Sequence, residues 1–209
     1  MSKEIFIVTA ALPYANGPLH LGHMLEYIQA DIFVRFLRLK NKQVIFCCAD
    51  DTHGTPIEIN AMKANMKPSE FIKIWYKKHV SDIKKFMISF DSYYTTHSKE
   101  NKKFSDMFFL TLREKGYIYT KPIKHLYCPK CKRYLPDRFV KGICPVCKAE
   151  EQYGDICEKC GASYRATELI EPKCVLCNSK PVLKETLHYF LQNLLFLLFF
   201  SHIQTLVYR

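Results

Sequence analysis

Two short apolar runs near the start of the chain flank one long helical period. Residues 4–10 (EIFIVTA) are β-branched and aromatic, which predicts a short buried strand, and residues 44–49 (VIFCCA) predict a second strand. Between the two runs, apolar side chains recur every three or four residues on one face of a predicted helix that starts at His20. That stripe comprises Leu21, Leu25, Ile28, Ile32, Phe36 and Leu39. The order strand, loop, helix, strand predicts a right-handed crossover and a parallel sheet.

The pattern changes sharply after three further predicted helices, over residues 55–66, 68–87 and 99–115. From about residue 118 to residue 184 the chain is rich in Cys, Lys, Pro and Gly and has few apolar runs. Such a segment has too few apolar residues for an ordinary hydrophobic core, so its fold needs disulfides or a bound metal. We therefore expect an α/β unit followed by a smaller unit of a different kind.

Composition and charge narrow the class of protein. Of the 209 residues, 48% are hydrophobic and 24% are charged, which excludes a disordered chain, and only 7 Gly and 10 Pro exclude a collagen-like one. The net charge of +11 suits an anionic partner such as ATP or RNA, although solubility alone would also explain it. The sequence shows neither a secretory signal nor an apolar run long enough to span a membrane, so we expect a cytoplasmic protein without a membrane partner.

Eight of the ten cysteines form four CxxC pairs, separated by gaps of 12, 9 and 13 residues. In a reducing compartment such pairs are more typical of metal ligands than of disulfides or of four redox motifs. Two CxxC turns complete a closed tetrahedral Cys₄ site, so four pairs predict two structural Zn²⁺ sites. Spacing alone leaves open which pairs share an ion. The pairs are Cys128/Cys131, Cys144/Cys147, Cys157/Cys160 and Cys174/Cys177.

The first predicted helix opens with two histidines, His20 and His23, on either side of Gly22. Their spacing places both imidazoles on one side of the first turn, where unpaired backbone N–H groups and the helix dipole favour an anion. A nucleotide phosphate fits this position, and the imidazoles could donate hydrogen bonds to charge developing on the α-phosphate. Helix capping or half of a metal site are the alternatives.

A second group of polar residues, Asp50, Asp51 and His53, follows the second predicted strand. In parallel sheets the carboxyl ends of the strands share one edge, so this group should lie near the two histidines. A carboxylate there could bind a ligand's ammonium group, although a solvated turn has the same composition.

Taken together, these residues resemble the methionyl-tRNA synthetase family of class I aminoacyl-tRNA synthetases, specifically its N-terminal part. The stretches that carry the resemblance are residues 11–31 (ALPYANGPLHLGHMLEYIQAD), residues 48–57 (CADDTHGTPI) and the cysteine-containing region over 134–174. It implies a Rossmann-like parallel sheet, the first half of a class I catalytic domain, with an inserted zinc-knuckle domain. The implied domains are a nucleotide-binding half-domain over 1–117, a connective zinc-knuckle domain over 118–185, and a divergent apolar tail over 186–209.

The resemblance also implies site residues. The methionine-binding set is Ala11, Leu12, Tyr14 and Asp51, with Asp51 holding the substrate ammonium. The ATP-binding set is His20, Gly22, His23 and Glu26, and His20 and His23 also act in catalysis. One zinc is held by Cys144, Cys147, Cys157 and Cys160, and the second by Cys128, Cys131, Cys174 and Cys177.

The implied reaction joins methionine to ATP, accompanied by Mg²⁺, and passes the methionyl group to tRNA(Met). The family's KMSKS loop and anticodon-binding helices do not occur in these 209 residues, and the tail reads like a truncated or frameshifted product. We therefore expect weak or no activity from the chain alone. A catalytically inactive, RNA-binding zinc-knuckle fragment is the alternative function, and the sequence does not specify an oligomeric state.

Overall fold

The computed structural model describes residues 4–192, which belong to two compact units that divide between residues 104 and 105. The predicted domain boundaries at 117/118 and 185/186 stay predictions. Residues 193–209, which include most of the predicted tail, lie outside the described residues. None of the helices within residues 4–192 is both long and apolar enough to cross a membrane.

The first unit contains a three-stranded parallel sheet in the order β1-β2-β3, which confirms the predicted parallel pairing of β1 and β2. Its elements, in chain order, are β1 (Ile5–Thr9), α1 (Leu21–Leu39), β2 (Gln43–Asp50), α2 (Thr55–Lys63), α3 (Pro68–Lys85) and β3 (Ser92–Thr95), and α4 (Lys99–Glu114) follows. The register pairs Val8 with Phe46 and Cys47 with Ser92. The sequence did not predict β3, because four residues with a polar start do not stand out from a loop.

The apolar stripe predicted on α1 is not the face that this helix buries. Leu21 and Leu39 are 82% and 83% exposed. The buried set is Met24, Tyr27, Asp31, Val34 and Leu37. A charged residue lies among them because the Asp31 carboxylate accepts hydrogen bonds from Ser89 N–H (2.8 Å) and from Arg35 Nε (2.6 Å). Since α1 carries apolar residues on both faces, only packing decides which face turns inward.

The second unit contains a long antiparallel ribbon and a small sheet. In the ribbon, β4 (Ile118–Cys128) pairs with β9 (Val182–Leu191), with Ile118 opposite Leu191 and Tyr127 opposite Val182. The remaining strands are β5 (Arg133–Tyr134), β6 (Val140–Ile143), β7 (Gln152–Tyr153) and β8 (Ile170–Cys174). The short strand β5 extends the ribbon, and β7-β6-β8 form the separate sheet. Apart from its cysteines, the second unit buries few apolar side chains, as the composition predicts.

Candidate functional site

The loop after β1 is tied to the end of β2 by two backbone hydrogen bonds. Asp51 N–H donates to the Pro13 carbonyl (2.9 Å), and Ala15 N–H donates to the Asp51 carbonyl (2.8 Å). Tyr14 and Asp51 therefore face each other as an isolated parallel bridge. Burial, and then the negative charge of Asp51, raise the pKa of Tyr14. The structure thus brings together two residues of the predicted methionine-binding set.

The start of the same loop is held by α1. Ala11 N–H donates to Glu26 Oε1 (2.5 Å), and Tyr27 Oη donates to the Ala11 carbonyl (3.3 Å). Ala11 and Leu12 are exposed, so their side chains are open to a ligand. Glu26, predicted to lie near the nucleotide, is occupied in shaping this loop.

His20 and His23 form a reciprocal cap at the start of α1. His20 Nδ1 accepts from Gly22 N–H (3.1 Å), and His23 Nδ1 accepts from His20 N–H (3.2 Å). Since both Nδ1 atoms accept, the proton of each neutral ring is on Nε2, which is a donor. The ring centroids are 3.8 Å apart; His20 is exposed and His23 is half-buried. Helix capping and ligand binding are therefore compatible, because Nδ1 of each ring accepts the capping hydrogen bond while Nε2–H can donate to an anion.

The neutral form of His23 is favoured by its surroundings. Burial lowers the pKa of His23, and the neighbouring charges of His20 and His79 lower it further, against the opposing effect of Glu26. The neutral imidazole of His23 still carries the Nε2 proton, so it can donate a hydrogen bond without first being protonated.

The loops after β2 and β3 are also joined at this edge of the sheet. Thr52 N–H donates to Thr96 Oγ1 (2.9 Å), and His53 Nε2 lies 3.2 Å from His97 Nδ1. His97 and Thr96 were missed in the sequence because β3 was not predicted. Three loops thus converge at the carboxyl edge, the position where open α/β sheets bind ligands.

Gly54 lies directly beside Tyr14 and has a backbone φ of +124°, which favours glycine. A Cβ at this position would overlap Tyr14 Oη. We expect Gly54→Ala to lower the free energy of unfolding by about 2–4 kcal/mol, because it combines backbone strain with overpacking. The family resemblance implies that Tyr14 lines a methionine pocket, so its displacement is also expected to weaken methionine binding. Urea unfolding and equilibrium dialysis with labelled methionine measure the two effects.

Gly116 supplies the matched control, because its φ is +75° but no atom lies within 4 Å of the added Cβ. Gly116→Ala should cost about 1–2 kcal/mol of backbone strain alone and leave methionine binding unchanged. Equal losses of methionine binding in both variants would show that the contact with Tyr14 does not matter.

The four CxxC pairs adopt the same turn. In three pairs the N–H of the first cysteine donates a hydrogen bond to the carbonyl five residues later. These bonds are Cys144 to Ala149 (2.8 Å), Cys157 to Ala162 (2.9 Å) and Cys174 to Ser179 (2.9 Å). The residue after the second cysteine is left-handed in all four. These residues are Lys132 (φ +51°), Lys148 (+62°), Gly161 (+73°) and Asn178 (+57°). Each turn directs two sulfur atoms to one side.

The turns bring the cysteines together in nested order, the inner two pairs in one cluster and the outer two in another. The inner cluster is Cys144, Cys147, Cys157 and Cys160, and the outer cluster is Cys128, Cys131, Cys174 and Cys177, each with its sulfur atoms within 4.8 Å of one another. The Sγ–Sγ distances between Cys144 and Cys160, and between Cys128 and Cys177, are 4.0 and 3.4 Å. Tetrahedral Zn²⁺ with Zn–S bonds of about 2.3 Å requires sulfur atoms roughly 3.8 Å apart.

Hydrogen bonds to sulfur favour the thiolate form at selected cysteines. Ser179 Oγ lies 3.0 Å from Cys177 Sγ, and this hydrogen bond is the main cause that lowers the pKa of Cys177 to about 6. The opposite holds at Cys131, where the neighbouring Cys177 sulfur raises the pKa to about 12. Four adjacent sulfurs cannot all ionise without a cation between them, so both donor sets fit Zn²⁺. A closed set of four sulfurs leaves no position for substrate, so such an ion is structural.

The parallel sheet, the histidine pair at the first crossover and the inserted cysteine clusters define a class I tRNA synthetase. The family model described as tRNA synthetases class I (M) matches residues 6–197. The chain belongs to this family.

Individual relatives agree with this assignment. The methionine–tRNA ligase of Myxococcus xanthus (strain DK1622) is 51% identical over 187 residues, which are 90% of this chain and 27% of the relative. The chain thus spans about a quarter of that relative's length. Among solved structures, Mycobacterium tuberculosis methionyl-tRNA synthetase in complex with methionyl-adenylate matches with a TM-score of 0.62, at 20% identity, over 90% of this chain and 32% of its own. The ternary complex of Agrobacterium radiobacter K84 agnB2 LeuRS matches with a TM-score of 0.62 at 18% identity, over 91% and 21% of the two chains. At these identities the structural matches support the fold alone.

Proposed function

We propose that the chain is the part of a methionine–tRNA ligase that binds methionine and ATP and forms methionyl-adenylate, with the methionyl group then passed to tRNA(Met). The observation that carries this proposal is the reciprocal cap of His20 and His23. It leaves two Nε2–H groups at the sheet edge where Asp51 also lies. The M. xanthus relative supports methionine as the amino acid.

The chemistry follows from these groups. The methionine carboxylate attacks the α-phosphate of ATP in line, an O–P bond forms, the bond to the β-phosphate oxygen breaks, and pyrophosphate leaves with the electron pair. Negative charge develops on the α-phosphate oxygens, where Nε2–H of His20 and His23 can donate hydrogen bonds. Asp51 would hold the substrate ammonium, and Ala11, Leu12 and Tyr14 would line the side-chain pocket. Mg²⁺ would accompany the triphosphate.

The two cysteine clusters would each hold one structural Zn²⁺, which supplies folding free energy to the connective domain. We assign the nucleotide-binding half-domain to residues 1–117 and the zinc-knuckle domain to residues 118–185. We assign the protein to the cytoplasm, the usual compartment for charging tRNA.

Methionine-dependent exchange of labelled pyrophosphate into ATP tests this function directly, with binding of methionine and of ATP measured on the same preparation. We expect methionine to bind and to support exchange, weakly in the chain alone, and leucine and isoleucine to do neither. Equal use of leucine would contradict the methionine assignment, and binding of neither ATP nor methionine would contradict the function as a whole.

One feature of the second unit favours the alternative, RNA binding by the zinc knuckles. A cleft of about 640 Å³ is lined by three cations, by Asp137 and Asp155, and by Tyr119, which stacks on Phe190 at 5.5 Å. The cations are Lys121, Lys124 and Arg165. Cations beside aromatic rings are typical of single-stranded nucleic-acid sites. Retention of tRNA on a filter without methionine-dependent use of ATP would favour this second function.

A further inference from the structure

A buried pair of side chains, Asp50 and His79, adjoins the candidate active site. The sequence singles out Asp50 as one of the polar residues after β2 but does not predict His79 for the site. The side chains of Asp50, at the end of β2, and His79, on α3, are both fully buried. His79 Nδ1 lies 2.9 Å from Asp50 Oδ1, and His79 Nε2 lies 2.8 Å from the carbonyl oxygen of Gly17. His79 continues the buried stripe of α3 that contains Phe71, Ile72 and Ile83, so its position in the sequence resembles that of a core residue.

Both ring nitrogens of His79 face oxygen acceptors. The Gly17 carbonyl can only accept, so Nε2 carries a proton. Asp50 Oδ1 also accepts a hydrogen bond from Tyr93 Oη, which stabilises the carboxylate. Asp50 Oδ1 thus accepts hydrogen bonds from two side chains, so we assign the proton shared with His79 to Nδ1. The pair is therefore a carboxylate and an imidazolium, and Asp50 Oδ2 has no hydrogen-bond partner within the described part of the chain.

The titratable groups around His79 come from each element packed against it. Asp50 lies on β2, Tyr93 on β3 and His23 on α1, and Asp82 lies on α3 itself. Burial by itself lowers the pKa of His79, but the hydrogen bonds to Asp50 and to Gly17 and the charges of both aspartates outweigh it, so the pKa is raised.

The contact with Gly17 connects this pair to the histidine signature. Gly17 lies three residues before His20 and two residues after Ala15, which is hydrogen-bonded to the Asp51 carbonyl. A donor on His79 that holds the Gly17 carbonyl fixes the path of the chain into the first turn of α1. The positive charge of His79 also favours the neutral form of the nearby His23.

We propose that His79 is a positioning residue for adenylate formation: as a buried imidazolium paired with Asp50, it anchors the Gly17 carbonyl and so orients His20 and His23 toward the α-phosphate. The positioning role rests on the proposed function, whereas the charge state of the pair does not.

The charge state is measured by nitrogen-15 NMR of the histidine side chains in the full chain between pH 6 and pH 9, with His79→Gln assigning the resonances. We expect both ring nitrogens of His79 to be protonated at neutral pH. The backbone signals of Gly17 and His20 should follow the His79 titration. In Asp50→Asn the amide can donate to Nδ1 of a neutral ring, so the His79 titration should move down by about one pH unit or more. A neutral His79 at neutral pH would overturn the inference, and so would backbone signals of Gly17 and His20 that do not change as His79 titrates.

The positioning role is measured by ATP affinity as a function of pH. Because the pKa of His79 is raised, its stabilising charge is fully present below about pH 6.5 and is lost as the pH rises through the pKa of the folded state. The wild-type chain should therefore bind ATP more weakly above that pKa. His79→Gln should weaken binding about tenfold and flatten this pH dependence, whereas the control His188→Gln, at an exposed site on β9, should match wild type.

Asp50→Asn separates the charge from the anchor, because the neutral ring still donates Nε2–H to the Gly17 carbonyl. The pH dependence of ATP affinity should therefore disappear in this variant, even if His79→Gln does not fold. A pH dependence that persists in folded Asp50→Asn, or unchanged ATP affinity in folded His79→Gln, would overturn the positioning role. A wild-type chain that binds no ATP at any pH contradicts the proposed function and the positioning role with it, and the NMR result then decides the charge state separately.

Discussion

Chelation of zinc is expected to unfold the second unit and to leave the first unit folded. Apart from its cysteines the second unit has few buried apolar side chains, and it contains two clusters of four sulfur atoms. Structural Zn²⁺ sites in small peptides contribute roughly 10–16 kcal/mol, which exceeds the 5–15 kcal/mol that a domain typically has in total. Removal of both ions should therefore abolish the folded state of this unit.

The single tryptophan makes the two outcomes separable. Trp75 packs against Ala15, Ile57 and Phe71 in the first unit, so its fluorescence reports on that unit alone. We expect a strong chelator to increase proteolysis of residues 118–185 without a change in tryptophan emission. A change in both proteolysis and tryptophan emission, or a change in neither, would contradict the expectation.

A single substitution tests the grouping of the ligands. Cys144→Ser should lower the zinc content from two ions to one per chain, because it removes a ligand of the inner cluster only. Cys47→Ser is the matched control, since Cys47 lies on β2 and belongs to neither cluster. A zinc content of two in the Cys144 variant would show that the four sulfurs do not form one site.

Loss of the Nε2–H donor of His23 is expected to slow methionyl-adenylate formation by about 10²–10³-fold, the usual cost of removing one donor to charge that develops in the transition state. His23→Asn is the informative change. Its side-chain oxygen can replace Nδ1 as the acceptor for His20 N–H, so the helix cap survives while the donor is lost. Affinity for methionine should stay unchanged, because Asp51 and Tyr14 are not altered.

The rate is best measured in a chimera in which residues 6–192 replace the matching segment of the bacterial relative described above. Pyrophosphate exchange at saturating methionine and ATP gives the rate, and equilibrium dialysis gives the affinity for methionine. His125→Gln, on β4 in the other unit, is the control and should match the unsubstituted chimera. A His23→Asn chimera within threefold of the unsubstituted rate would remove His23 from the catalytic mechanism.

Local patterns predicted much of this fold. The apolar runs and the helical period located β1, β2 and the four α-helices, and their order predicted the parallel pairing. The hydrogen-bonding needs of a helix start explain why residues 20–23 are recognisable as a candidate site from the sequence alone. Prediction failed for β3, and also for the ribbon of β4 and β9, whose pairing joins segments far apart in the chain.

By itself the sequence determined what depends on neighbours along the chain: the strand and helix segments, the capping histidines and the four CxxC turns. Two features depended on the tertiary structure: the face of α1 that is buried and the pairing of Asp50 with His79. Spacing left the grouping of the eight cysteines open; the family resemblance implied the nested arrangement and the structure has it. The physical reason is that packing and long-range hydrogen bonds depend on which segments meet in space, and residue spacing carries no information about partners on another element.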